Sequence, residues 1–189
     1  MPNKYNPDIH HRRSIRLRHF DYSNAGAYLV TICVQNRECL FGDVVNGEMM
    51  LNDAGRMVWQ WWDELNNKFP TIETDAAIVM PNHFHGIIAI VGVALCGRPD
   101  NVNRDKEGHP TLGDIMDWFK TMTTNGYITG VKQNDWPPFP GRLWQRNYYE
   151  RVIRNDDELC DTREYIANNP ATWAEDEENP AFTETTLAG

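Results

Sequence analysis

Apolar side chains change their spacing several times along the chain, and each change marks a different element. From Ala54 to Phe69 they recur three and four apart (Ala54, Met57, Val58, Trp61, Trp62, Leu65, Phe69), the stripe of an amphipathic helix, and Pro70 ends the run. A second stripe, Leu112, Ile115, Met116, Phe119 and Met122, follows Thr111, whose hydroxyl suits a helix N-cap. Elsewhere the pattern shortens. Tyr28 to Gln35 (YLVTICVQ) is rich in β-branched and aromatic residues and predicts a strand. In LFGDVVNGEMMLN the pair Asn46-Gly47 sits between apolar flanks and predicts a hairpin. Asp75 to Val91 is mostly apolar and too β-branched for a helix, so it predicts one long strand or a strand pair. Leu143 to Ile153 predicts a further strand. A last helix, capped by Asn155 or Asp156, runs to about Asn169 and stops before Pro170, with Leu159, Thr162 and Ile166 as its packing stripe.

The intervening stretches lack such periods. Residues 1–24 read as an extended arm, 97–110 as a polar loop, and Asp135 to Gly141 (DWPPFPG) as a break. The organisation expected is a basic arm over 1–24, one domain over 25–173, and a mobile acidic tail over 174–189. Strands and helices intermixed, with hairpins, predict an α+β domain whose helices pack on one face of an antiparallel sheet. The 189 residues suffice for one core that stands without staples. The polar N-terminus has no signal-peptide core, and no apolar run approaches the roughly 20 residues of a membrane span. Cys33, Cys39, Cys96 and Cys160 form no CxxC pair, which fits a reduced, cytoplasmic chain.

Charge changes this picture in one respect. The net charge of −9 speaks against a nucleic-acid partner until it is located. From Asn155 onward ten acids face only Arg163, so this segment carries the whole excess. At the other end Lys4, Arg12, Arg13, Arg16 and Arg18 face only Asp8, and Arg142, Arg146, Arg151 and Arg154 face only Glu150. Such local patches decide whether a phosphate backbone is attracted.

The sharpest chemical feature is Pro81-Asn82-His83-Phe84-His85-Gly86. Residues i and i+2 of a strand share a face, so His83 and His85 project together, within reach of one metal ion. The alternative is a pair of hydrogen-bonded core histidines. The other histidines (His10, His11, His19, His109) lie off confident elements, so a rigid third ligand is a carboxylate or an amide. Tyr165 and Asn169 are spaced i, i+4 on one helical face and could hang over the histidines. Read alone, Tyr165 is equally a packing tyrosine and Asn169 a residue at a helix end.

The series PNHFHG, LWQRNYYERVIRNDDEL and REYIANNP resembles the single-tyrosine HUH transposases, in the branch associated with repetitive extragenic palindromes (REPs). The resemblance spans about Tyr22 to Trp173 and keeps the family's motif order. It implies a ferredoxin-like or RNA-recognition-like sheet, His83 and His85 as metal ligands, Tyr165 as nucleophile, and Asn169 as third ligand where insertion-sequence relatives usually carry glutamine. The implied activity is metal-dependent cleavage and rejoining of single-stranded or hairpin DNA through a 5′-phosphotyrosine. The implied cofactor is Mg2+ or Mn2+; two imidazoles suit manganese better than oxygen-seeking magnesium. Arg12, Arg13, Arg16 and Arg18 of the arm, with Lys120, Arg142 and Arg146, are the expected DNA contacts, and Trp144 either stacks on an unpaired base or packs in the core. Tyr148 and Tyr149 are rival nucleophiles. Monomer and homodimer both remain compatible, and no membrane partner is expected. Two other functions stay open: a zinc hydrolase built on the HxH pair, and a hairpin-binding protein without cleavage.

Overall fold

The computed structural model describes residues 26–91 and 110–182. The arm, with Arg12, Arg13, Arg16 and Arg18, and most of the 97–110 loop lie outside the described residues. Among the described residues, six strands and three α-helices follow in the order β1 (Gly26–Cys33), β2 (Gly42–Val45), β3 (Glu48–Leu51), α1 (Asp53–Lys68), β4 (Ile72–Val79), β5 (His83–Ile90), α2 (Leu112–Gln133), β6 (Tyr149–Ile153) and α3 (Asp156–Asn168). The main sheet has strand order β4-β5-β1-β6 with every pair antiparallel, while β2 and β3 form a separate hairpin. With β2 and β3 set aside, the chain runs βαββαβ, and this strand order is the ferredoxin-like arrangement expected from the sequence.

Local chemistry explains the element ends. Asn46 and Gly47 take positive φ (54° and 79°), as the two-residue β2–β3 turn requires. Asn52 caps α1 by accepting from Gly55 N at 2.9 Å. Thr111 and Asp114 form a reciprocal capping box on α2. Asn155 caps α3 through Glu158 N at 2.8 Å. The long apolar stretch resolves into a pair, β4 and β5, whose tight connection is closed by Met80 N donating to the His83 carbonyl at 2.8 Å. Helix α2 runs well beyond Met122, because Gly126 and Gly130 leave room for Met57 and Trp136 to approach closely.

Strand alternation divides the sheet into two unlike faces. Tyr28, Val30, Ile32, Phe84 and Ile88 point into the main core, where α1 and α2 bring Val58, Trp62, Leu65, Ile115 and Phe119. Gly86 belongs here: an added Cβ would lie 2.5 Å from a Trp62 ring carbon, so the indole takes the place of a side chain. Leu29, Ile87 and Ile153 point the other way and meet Ile166 and Leu159 of α3. The third helix thus crosses the opposite face from the other two, whereas packing on a single face was expected.

Two sequence expectations need correction. Leu143–Ile153 is not one strand; only Tyr149–Ile153 pairs in the sheet, and Trp144 makes an isolated bridge to Val34. Leu143 and Trp144 are both buried, and Trp144 meets only Val34 before the chain leaves the sheet and rejoins it at Tyr149. Part of the segment read as a mobile tail is folded: a 3-10 turn spans Asn169–Glu175, and Arg37 pairs with Glu178 at 3.1 Å. Among the described residues no helix is long and apolar enough to cross a membrane.

Candidate active site

The α3 face carries the candidate site. One row crosses all four strands of the sheet: Ile78, His85, Thr31 and Tyr149 are successive register partners. Cys33 stands opposite His83 one step along. The two imidazoles lie edge to face with centroids 4.7 Å apart, and both are buried. Helix α3 holds Tyr165 over them, its ring centroid 5.3 Å from that of His85 and its hydroxyl 3.5 Å from His85 Nε2. One turn on, Asn169 is buried at the start of the 3-10 segment. The sequence-derived quartet of His83, His85, Tyr165 and Asn169 therefore converges on one cavity of about 1060 Å³.

Each histidine is held through Nδ1. Thr31 Oγ1 lies 2.7 Å from His85 Nδ1, and Asn82 Oδ1 lies 3.0 Å from His83 Nδ1. That leaves the Nε2 atoms for the cavity. His83 Nε2 and Asn169 Oδ1 are buried without a hydrogen-bond partner among the described residues. An unpartnered nitrogen and an unpartnered amide oxygen in one buried place are costly unless something else meets them. No three His, Cys, Asp or Glu side chains among the described residues are grouped to hold a metal ion. The donor set that fits a cation is accordingly two imidazoles and an amide oxygen, which suits a divalent ion of the manganese type.

Electrostatics keep the site neutral in nitrogen and acidic at the rim. Burial pushes the His85 ring down to about 3, with His83 adding to the fall. Burial also lowers His83, opposed by the Asp176 carboxylate 3.8 Å from its Nε2 and by the Asn169 side chain. Both rings are thus unprotonated near neutrality, as ligands must be. Burial lifts the Tyr165 phenol above its usual value; Asn169 pulls it back, and Asp176 adds to the rise. Burial raises the Cys33 thiol to about 12, with the Glu178 carboxylate adding, so it stays protonated in the cavity wall. Asp161 and the run Glu175–Glu178 also line the cavity, with Arg151 on the β6 side.

The remaining sequence candidates are placed less uniformly. Tyr149 lines the cavity from β6 and is exposed; Tyr148 lines it too, but also packs on the main core. Lys120 Nζ donates to the carbonyls of Gln145 and Arg146 at 2.7 and 3.0 Å, so two of its three donors serve the fold. Arg142 and Arg146 are exposed and share a second, smaller cavity with Lys120. Trp144 is core: its indole is buried, and Nε1 donates to Thr123 Oγ1 at 2.8 Å, which excludes stacking on a base. Sequence reasoning missed Thr31, Asn82 and Asp176. Asn82 sat within the quoted motif, but nothing local marked the other two.

No protein-family model matches the chain. An uncharacterized protein of Haemophilus influenzae is 40% identical over 183 residues, covering 94% of this chain and 98% of that one. Among solved structures, a REP-associated tyrosine transposase bound to a REP hairpin superposes with a TM-score of 0.54 at 18% identity, over 83% of this chain and 73% of that one. At that identity the likeness concerns the fold.

Proposed function

This chain belongs to the same family as the Haemophilus influenzae protein, and we propose that it is a metal-dependent single-stranded DNA endonuclease and strand transferase that acts at DNA hairpins. One observation carries the reading. The Tyr165 hydroxyl stands 3.5 Å from His85 Nε2, in a cavity where His83 Nε2 and Asn169 Oδ1 are buried with no hydrogen-bond partner among the described residues. A candidate nucleophile and a donor set of two imidazoles and an amide thus share one space. The hairpin bound to the transposase of like fold motivates the choice of substrate.

In this reading His83, His85 and Asn169 would hold Mn2+ or Mg2+, and the ion would supply polarisation of the scissile phosphate and offset charge in the transition state. Tyr165 supplies the nucleophile. Its oxygen bonds to phosphorus, the bond from phosphorus to the 3′ oxygen breaks, the phenol gives up its proton, and the 3′ oxygen gains one. The 5′-phosphotyrosine conserves the bond energy, so the reverse attack by a 3′-hydroxyl rejoins strands without an external source. Helix α3, capped at Asn155 and packed on the sheet through Leu159 and Ile166, carries the phenol, and burial keeps both imidazoles free of protons. Of the alternatives, a zinc hydrolase would spare the tyrosine, and a hairpin binder would cut nothing.

The test is incubation of the protein with labelled hairpin oligonucleotides and Mn2+, followed by a denaturing gel and peptide mapping. A covalent adduct on Tyr165 is expected. An adduct on Tyr149 would keep the chemistry and move the nucleophile to β6, and cutting without any adduct would point to the hydrolase.

A further inference from the structure

The polar network beneath His83 is one-directional. The Asn82 side chain is fully buried, and its Nδ2 donates to two backbone carbonyls, that of Arg37 at 2.9 Å and that of Glu178 at 2.7 Å. Two carbonyls can only accept, so the amide orientation is settled, and Oδ1 is the atom that faces His83. An amide oxygen also only accepts. The contact from His83 Nδ1 to Asn82 Oδ1 at 3.0 Å therefore requires the proton on Nδ1 and leaves Nε2 with its lone pair. Thr31 imposes no such choice on His85, because a hydroxyl both donates and accepts.

The surroundings hold Asn82 from several sides. Its own carbonyl accepts from Val34 N at 2.7 Å, and the preceding Pro81 carbonyl accepts from Leu40 N and Phe41 N. Asn36 and Arg37 both take left-handed backbone angles (φ 62° and 58°), and from this turn the Arg37 carbonyl reaches the amide. Such conformations persist in non-glycine residues only where neighbours impose them. The Arg37 guanidinium in turn holds the Glu177 carbonyl at 2.6 Å, on the same segment that supplies Glu178.

We infer that Asn82 is a positioning residue: it fixes the His83 tautomer with the proton on Nδ1, and with the same side chain it fastens the 35–37 turn and the 176–178 turn to the wall of the cavity. The value of that tautomer for holding a cation rests on the function proposed above; the tautomer itself does not. An outer partner that orients an imidazole in this way is commonly worth about 10–100-fold in metal affinity.

Nitrogen-15 NMR of the histidine rings in the metal-free protein reads the tautomer directly, and Mn2+ titration reads its consequence. In the unmodified protein His83 should carry its proton on Nδ1. Asn82→Leu removes acceptor and donors at nearly equal size; it should give a mixed His83 tautomer and weaken Mn2+ binding by about 10–100-fold, with His85 signals unchanged. Asn82→Asp keeps the acceptor and loses the donors. It should preserve the tautomer and bind Mn2+ within a few-fold, while the 176–178 turn becomes open to protease. His83 protonated on Nε2 in the unmodified protein would overturn the inference, as would an unchanged tautomer and affinity in Asn82→Leu. If that variant does not fold, the unmodified spectrum and Asn82→Asp decide. The stated tautomer in a protein that takes up no Mn2+ would sink the metal site and leave the Asn82 assignment standing.

Discussion

Strand β5 shows two proteins in one. Its even-numbered residues, Phe84, Gly86 and Ile88, face α1 and α2, where Trp62 lies 4.8 Å from Phe84 between ring centroids and no room remains for even a methyl group on Gly86. Its odd-numbered residues, His83, His85 and Ile87, face α3, where a cavity opens and two buried polar atoms have no hydrogen-bond partner among the described residues. One face spends its side chains on packing; the other leaves two of them available. The period of two allows both, since a strand fixed by its core face presents its other face rigidly at no further cost in order. Helix α3 is attached more lightly, through a small apolar cluster and an ion pair, and it is the element that brings the proposed nucleophile.

The largest effect that would separate the faces is chemical. Tyr165→Phe keeps the ring that packs beside His85 and removes only the hydroxyl. Covalent adduct formation should fall to background, while hairpin affinity in a binding assay stays within a few-fold, because backbone contacts made elsewhere supply it. Retained cutting in this variant would end the division proposed here and favour a metal-activated water.

Neighbouring substitutions on β5 should then give opposite outcomes. Phe84→Ala leaves a void between Trp62 and Phe119 and should cost about 3–5 kcal/mol in urea unfolding. His85→Ala should abolish Mn2+ binding and cleavage at a far smaller cost in stability, since its ring borders a cavity and not a packed core. Comparable losses of stability in the two variants would mean that the faces are not distinct.

This division was partly legible in the chain. Spacing alone marked α1 and the start of α2, and alternation put His83 and His85 on one face. The i, i+4 spacing placed Tyr165 with Asn169. What escaped depends on contacts far apart in sequence. Thr31 meets His85 only through the β1–β5 register, and Asn82 meets Glu178 across 96 positions. Acidity made Asp176 and Glu178 look solvated, yet Arg37 and the Asn82 amide draw in Glu178, and Asp176 reaches to 3.8 Å from His83 Nε2. The apolar stripe of α2 was traced only to Met122; beyond it Gly126 and Gly130, poor helix formers in general, let Met57 and Trp136 close in.

Acid sharpens the comparison next. In the metal-free protein the folded His85 ring binds its proton only at about 3, whereas an unfolded histidine does so near 6.5. Between those values the unfolded state holds the extra proton, so stability is full above about pH 6.5 and declines as pH falls toward 3, by about 1.4 kcal/mol per pH unit for this residue. His83, also lowered, acts in the same sense. Urea unfolding from pH 7 to pH 4 in a chelator should show this decline, and His85→Ala should flatten it. A flat profile in the unmodified protein would mean that water reaches the rings.

The smallest effect concerns how α3 is held. Arg163 Nε donates to Asp75 Oδ1 at 3.0 Å, joining α3 to the irregularity in β4 between Thr74 and Ala77. The Arg163 hydrogen bond holds the Asp75 carboxyl below its usual value, although burial opposes it, so the contribution is present above an ordinary aspartate pKa and is lost as pH falls through the lower folded one. With side chains 47% and 31% exposed, solvent screens the pair, and Arg163→Ala should cost no more than about 1 kcal/mol at neutral pH and less in high salt. Because Arg163 sits two residues before Tyr165, the variant separates anchoring from chemistry: adduct formation should slow by a few-fold while Mn2+ affinity, which the proposed site assigns to β5 and Asn169, stays the same. Equal losses of both would show that the ion pair supports the whole site and not the helix alone.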